Sequence, residues 1–286
     1  FIPMVMGFGC NVPAIMATRT IESRSSRLIT ILINPFISCS ARLPVYILLA
    51  GTFFSRNAGL VLFGLYLFGC LMAFLTARIL RRFLFGKDET PFVMELPPYR
   101  VPTLKATLRH MWERSEQYLR KIGGMILVAA VIIWFLSYYP HSESVSADVA
   151  GAAAQSENSY LGRIGKLCEP VMEPLGLDWK ASVALLSGAA AKEIVVSTLG
   201  VLYSVEDAEQ HSATLSEHLI ESGNYTPASA LAMMIFVMLY FPCVATIAAI
   251  AQEAGGWKWA LFSVVYNTLV AWVAAWGVYQ LTLLLM

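Results

Sequence analysis

Apolar residues run through this chain in long stretches uninterrupted by charge. Residues 57–77, 122–140, 222–252 and 259–286 contain no Asp, Glu, Lys or Arg. Each approaches or exceeds the roughly 20 residues that cross a bilayer as an α-helix. A closed β-barrel would show period-two alternation, and none is present. The pattern predicts an all-α, polytopic membrane protein.

Several apolar stretches are nevertheless broken. Residues 1–18 hold Pro3, Gly7, Gly9 and Pro13. That is too many breakers for one straight helix and suits a re-entrant hairpin or an unwound helix. Residues 28–54 are interrupted at Asn34-Pro35 and again at Pro44, whereas 57–83 form a clean span. Residues 182–203 are apolar except for Lys192 and Glu193 at their centre, and 228–252 are broken at Pro242. Gly255-Gly256 then turns the chain into a last clean span.

Between the spans, PFVMELPPYRVPT (residues 91–103) is predicted to be extended, because each proline biases its predecessor away from helix. Thr103 then caps a helix with Leu104, Leu108, Met111, Trp112, Leu119 and Ile122 on one face. That helix either lies on the membrane surface before entering the next span or docks on a soluble domain. Residues 142–159 and 205–226 are polar and acidic and read as external loops.

The order of these segments repeats. A broken segment, a proline-broken span carrying a cysteine, and a clean span occur at the start and again at the end. FISCSA (36–41) can be laid on YFPCVA (240–245), pairing Cys39 with Cys243, and residues 7–11 fall on 188–192. Charge placement suggests that the two copies run in opposite directions. There are ten Lys or Arg between Arg78 and Lys121, three between His141 and Ala181, and none between Val205 and Pro227. Basic loops stay cytoplasmic. Residues 78–121 and the turn with Arg19, Arg24 and Arg27 are therefore placed inside, and the acidic loops outside. Inverted repeats of interrupted helices are a transporter architecture, with the site at their interface near mid-bilayer. The expected division is a first repeat at 1–83, a basic linker with its amphipathic helix at 84–121, a span plus external loop at 122–181, and a second repeat at 182–286.

Composition sharpens the class. The chain is 57% hydrophobic and 14% charged, where a soluble domain carries about 25% charged residues. Nothing points to nucleic acid as a partner; the lipid bilayer is the expected surroundings. Phe1 begins inside an apolar pattern, so the sequence reads as part of a longer protein.

The candidate chemistry lies at the breaks. Irregular backbone at membrane depth survives only where protein buries it or water reaches it. Gly7, Gly9, Pro35 and Pro242 therefore mark a cavity or pathway. An ionisable group at a helix centre costs about 2.5–3.5 kcal/mol even on the lenient insertion scale. On an ideal helix Lys192 and Glu193 would point about 100° apart, so each needs a partner other than its neighbour. A cation suits Glu193. A carbonyl, an asparagine or a helix C-terminus suits Lys192, and a structural polar lock is the alternative.

Of five cysteines, Cys10, Cys39 and Cys243 sit at breaks. Sulfur with a carboxylate favours a first-row transition metal over Na+, K+ or Mg2+. Asn11, Ser38 and Thr246 could add oxygens. Cys70, in a clean span, reads as a packing residue, and Cys168 has no visible partner. The methionines near the breaks read as core filler and the four histidines as solvated. No HExxH, GxSxG or GxxxxGK[ST] occurs, so neither a hydrolase nor a nucleotide site is indicated.

At these same residues the chain strongly resembles the membrane part of the ferrous iron transport protein B (FeoB) family. The resemblance rests on GFGCNVPAIMATRT (7–20), NPFISCSARLPVY (34–46), MELPPYRVP (94–102), AAKEIVVSTLGVLY (190–203) and MLYFPCVAT (238–246). It implies two Gate repeats and Fe2+ as the transported ion across the bacterial cytoplasmic (inner) membrane. No bound cofactor is implied for this chain. It also implies an N-terminal GTP-binding domain elsewhere in the protein and small soluble Feo partner proteins; a homo-oligomer is a further expectation. By resemblance Cys10 and Cys243 are the favoured pathway thiols; Cys39 and Glu193 join them on the physical argument alone. A different cargo (Mn2+, Zn2+ or a nucleoside-like solute) and a non-transporting scaffold for a soluble GTPase are the competing expectations. The chain itself is expected to be a transporter and not an enzyme.

Overall fold

The structure, a computed structural model, describes residues 2–84, 103–140, 157–203 and 225–285. Among these residues it is helical, with no strand. The extended reading of 91–102, most of both external loops, and His141, His211 and His218 lie outside the described residues.

The chain opens on two short helices, α1 (Ile2–Gly7) and α2 (Asn11–Ala17), which pack against each other across the turn at 8–10. Gly9 N and Cys10 N both donate to Met6 O, at 3.1 and 3.2 Å. The turn thereby satisfies a carbonyl left free at the end of α1. After a 3-10 turn the Ser23 side chain caps α3 (Arg24–Ile33) by accepting from Ser26 N. The following break runs from residue 34 to 42 as two separate 3-10 turns, Asn34–Phe36 and Ser40–Arg42. It is longer than a single proline kink. Then α4 (Leu43–Phe53) leads to α5 (Ala58–Phe83), an uninterrupted helix about 39 Å long at 1.5 Å per residue.

A single continuous helix, α6 (Leu104–Tyr138), starts at Thr103 as expected, although the Thr103 side chain makes no capping hydrogen bond. It is about 52 Å long at 1.5 Å per residue, so the amphipathic stretch and the apolar stretch after it belong to one helix. The expected boundary at 121/122 falls inside it. Cys168 lies in a helix, α7 (Tyr160–Met172), and not in a loop. The Ser159 side chain caps α7, and Asp178 caps α8 (Trp179–Ser187) by accepting from Ala181 N at 2.8 Å. A turn at 188–193 precedes α9 (Ile194–Leu202). A Thr226–Ser229 capping box starts α10 (Pro227–Leu239). Residues 240–243 break it from α11 (Val244–Glu253), and α12 (Trp257–Leu285) closes the chain.

Among the described residues four segments are long and apolar enough to cross a membrane: 24–53, 58–83, 227–253 and 257–284. The two broken ones are 61% and 72% buried over their most apolar windows, the two clean ones 17% and 22%. Broken helices thus form the centre and clean helices present their side chains outward. α10 is buried almost all round, against α4, α5 and α12. Cys70, expected to serve packing, is exposed on α5.

Side-chain contacts fix which ends lie together. Glu253 closes α11 and accepts from Arg19 Nε at 3.0 and 2.8 Å and from Arg27 Nη2 at 3.0 Å. At the other end of the 227–253 segment, the Tyr225 ring lies 6.3 Å from that of Tyr203, whose hydroxyl donates to Asp178 Oδ2 at 3.3 Å. The start of α8 and the end of α9 are therefore neighbours, and the two form a hairpin with residues 188–193 at its tip.

Candidate functional site

The tip of each hairpin meets the break of the next helix. In the first half, Ser40 N and Ser40 Oγ both donate to Gly9 O, at 3.2 and 2.9 Å. In the second half, Val244 N donates to Ala189 O at 3.0 Å. Each donating amide belongs to the residue immediately after a cysteine, Cys39 or Cys243. Glycine makes both approaches possible. A Cβ on Gly7 would sit 3.0 Å from Asn34 Oδ1, and one on Gly188 would sit 2.6 Å from the Tyr240 hydroxyl. Larger residues would hold tip and break apart.

Lys192 and Glu193 are not on a helix. They occupy the unwound tip, because the ladder stops at Ser187 and resumes only at Ile194. Lys192 is 3% exposed, and its Nζ donates to Phe241 O at 2.8 Å. Its ammonium lies 3.1 Å from the Tyr240 ring centroid, a cation–π contact. Its partner is thus a carbonyl freed by the Pro242 break. Glu193 is exposed and ion-pairs with no described residue.

Cys10, half-buried at the N-cap of α2, and Cys243 pack on the same apolar cluster of Val12, Ile15, Leu28 and Ala245. Cys243 Sγ lies 3.2 Å from Thr246 Oγ1. Cys39 and Cys243 are both half-buried. Ser38 Oγ contacts Tyr46 Oη at 3.1 Å. Asn11 is buried and accepts from Asn34 Nδ2 through its carbonyl and its Oδ1, both at 3.4 Å. Pro35 and Pro242 are buried, Gly7 is buried and Gly9 exposed. Lys192 thus ties the 188–193 tip to the 240–243 break, beside Cys243 and Thr246, while Ser38 and Cys39 lie in the 34–42 break. Among the described residues, however, no three His, Cys, Asp or Glu side chains stand together as a preassembled metal cluster.

Sequence reasoning missed Arg42. It is 1% exposed and lies wholly inside the protein. Its Nη1 donates to Pro35 O at 3.2 Å and to Met238 O at 2.5 Å, and its Nη2 donates to Pro35 O at 3.2 Å. One guanidinium thus spans both breaks. The signal was a lone arginine in an apolar run next to Pro44, which reads as the end of a span unless the break is known to continue to residue 42. Asn34, whose Oδ1 is buried without a donor, and Tyr240 were missed as well.

The family model for Gate, described as nucleoside recognition, matches residues 1–53 and 119–257. The model for the ferrous iron transport protein B C terminus matches residues 62–114. The Fe(2+) transport protein A/Fe(2+) transporter FeoB fusion protein of Porphyromonas gingivalis is 50% identical over 99% of this chain and 38% of its own length. The Fe(2+) transporter FeoB of Methanocaldococcus jannaschii is 44% identical over 96% of this chain, and that of Staphylococcus aureus 43% over 98%. The chain spans 40% of the length of each of these two. No solved structure matches it. With Gate matches over both sets of broken helices and these identities along its whole length, the chain belongs to the ferrous iron transport protein B family.

Proposed function

We propose that this chain is the ion-conducting membrane part of a ferrous iron transporter, with Fe2+ crossing where the broken helices of two oppositely inserted repeats meet. The observation that carries the reading is the paired interlock of tip and break, each flanked by a cysteine: Ser40 N to Gly9 O beside Cys39, and Val244 N to Ala189 O beside Cys243. The names of the relatives supply the cargo.

Opposite insertion is supported by the contacts at the two ends. The first hairpin leads into Arg19, which is tied to Glu253 at one end of 227–253. The second opens beside Tyr225 at the other end. Fe2+ is borderline in softness and accepts both sulfur and oxygen donors. Glu193, exposed at a hairpin tip, meets the ion first. Cys10, Cys39 and Cys243 take it in succession, with Asn11, Ser38 and Thr246 supplying oxygens as the halves rock. Stepwise handling agrees with a ligand set that is not assembled in one place, since a site that binds too completely does not release its ion. A GTP-binding domain in the same protein would bias the rocking from the cytoplasmic side of the bacterial inner membrane. The fusion named in P. gingivalis makes a small transport protein A the natural soluble partner.

The test is anaerobic radioiron uptake into liposomes, comparing the chain alone with the complete polypeptide, and Fe2+ with Mn2+, Zn2+ and uridine. Fe2+ accumulation lowered by Cys10→Ser and Cys243→Ser, with folded protein retained, is the expected result. Folded, complete protein that never accumulates Fe2+ would refute the reading.

A further inference from the structure

Arg42 carries a charge that its structural task does not require. Capping Pro35 O and Met238 O needs only hydrogen-bond donors, which a neutral amide could supply. Removing a cation from water costs several kcal/mol even after relaxation, and no described carboxylate ion-pairs with it. Its Nε is buried and has no acceptor among the described residues. The carbonyls it holds have a specific origin. Pro35 O is released by the 34–42 break and Met238 O lies in the last turn of α10, where the helix dipole is negative. Exposed carbonyls and half-helix C-terminal ends at such breaks are cation seats. Lys192 fills the adjoining one at Phe241 O. The carbonyls freed at the two breaks are therefore already occupied by side-chain donors, one of them the Arg42 guanidinium. Cys39 and Cys243 belong to the same two breaks, 34–42 and 240–243.

We propose that Arg42 is a built-in surrogate cation: it fills the carbonyl seat between the two halves, and a transported divalent ion crosses only by displacing it. The inference rests on the transport reading above and adds a basis for selectivity. A monovalent ion offers those carbonyls no more charge than the guanidinium already does, and it gains little from thiols. A divalent transition ion brings twice the charge and also binds the sulfur of Cys39 and Cys243. Displacement is therefore favourable for Fe2+ and unfavourable for Na+ or K+, and the pathway stays sealed to the abundant ions.

The experiment uses the complete native polypeptide in liposomes and reads Fe2+ uptake and Na+ leak in parallel. Arg42→Gln, which keeps donors and loses charge, is expected to raise the ratio of Na+ leak to Fe2+ uptake about tenfold, within the usual range of coupling factors. Arg42→Lys restores a ratio close to wild type. As a check on unmutated protein, phenylglyoxal labelling of Arg42, read by mass spectrometry, should rise with Fe2+ and not with Na+. If both variants lower every flux in proportion, or if Fe2+ leaves Arg42 labelling unchanged while wild-type uptake proceeds, the surrogate-cation role is overturned. Absence of wild-type Fe2+ uptake would instead overturn the transport reading itself.

Discussion

The Lys192 ammonium reaches the Phe241 carbonyl at 2.8 Å, so a side chain from the tip of one hairpin closes the helix break beside Cys243. The hydrogen bond joins residues 49 positions apart, and the Tyr240 ring covers the charge. It converts an intramembrane lysine from a cost into a cap for a carbonyl that has lost its ladder partner. Lys192→Met should lower stability by about 2 kcal/mol, the range for a hydrogen bond to a charged group. Denaturation in detergent measures this, and Lys258→Met, at an exposed position, should stay within about 0.5 kcal/mol of wild type.

Cysteine replacements should separate by position. Cys39→Ser and Cys243→Ser should each reduce Fe2+ uptake about tenfold, since a hydroxyl is a poorer donor than sulfur for a borderline metal. The serine at 243 can keep a contact with Thr246, so the break should hold its shape. Cys70→Ser, on the outward face of α5, should leave uptake unchanged. Equal losses at all three positions would show that the thiols matter for folding and not for the ion.

Glu253 should anchor the Arg19 end of the bundle. Its side chain is 3% exposed while those of Arg19 and Arg27 are 46% and 31% exposed, so much of the attraction is screened. Glu253→Gln should cost about 2 kcal/mol, less than a fully buried pair. A double-mutant cycle with Arg19→Gln should return a positive coupling. Hydrogen bonding to Glu253 raises the Arg19 pKa above its ordinary value. A raised folded-state pKa gives stability that is fully present below the unfolded value and lost only in strong alkali. Arg19's share of the coupling should therefore not change between pH 6 and 9, roughly the range accessible to the detergent-solubilised protein.

Gly188→Ala should disturb the second interlock. Its Cβ would lie 2.5 Å from Val195 Cγ2 and 2.6 Å from the Tyr240 hydroxyl. Overpacking of this kind costs about 1–3 kcal/mol. Tyr240→Phe, which removes the clashing oxygen, should recover part of the loss in the double variant. No recovery would place the strain on Val195 alone.

Much of this arrangement was legible in the residues. The apolar runs, the clean span at 57–83 and the interruptions near Gly7, Pro35 and Pro242 all appear where pattern and breakers put them. Lys192 needed a partner, and a carbonyl is what it has. Less was legible where one local pattern fits two geometries. The face at 104–122 suited a helix on the membrane surface or one docked on a soluble domain, and the helix it belongs to continues to Tyr138. The cost assigned to Lys192 and Glu193 assumed a helix centre, and the chain had unwound there.

The sequence by itself determined which segments enter the membrane and where their helices fail. Those properties are local: hydropathy over about 20 residues and the steric effects of proline and glycine act through near neighbours. Only the tertiary structure decided which break meets which tip, and which side chain caps which freed carbonyl. Arg42 and Met238 O are separated by 196 positions, and no local preference can specify such a bond. It forms because burying the two broken spans side by side leaves unpaired carbonyls that must find donors within reach.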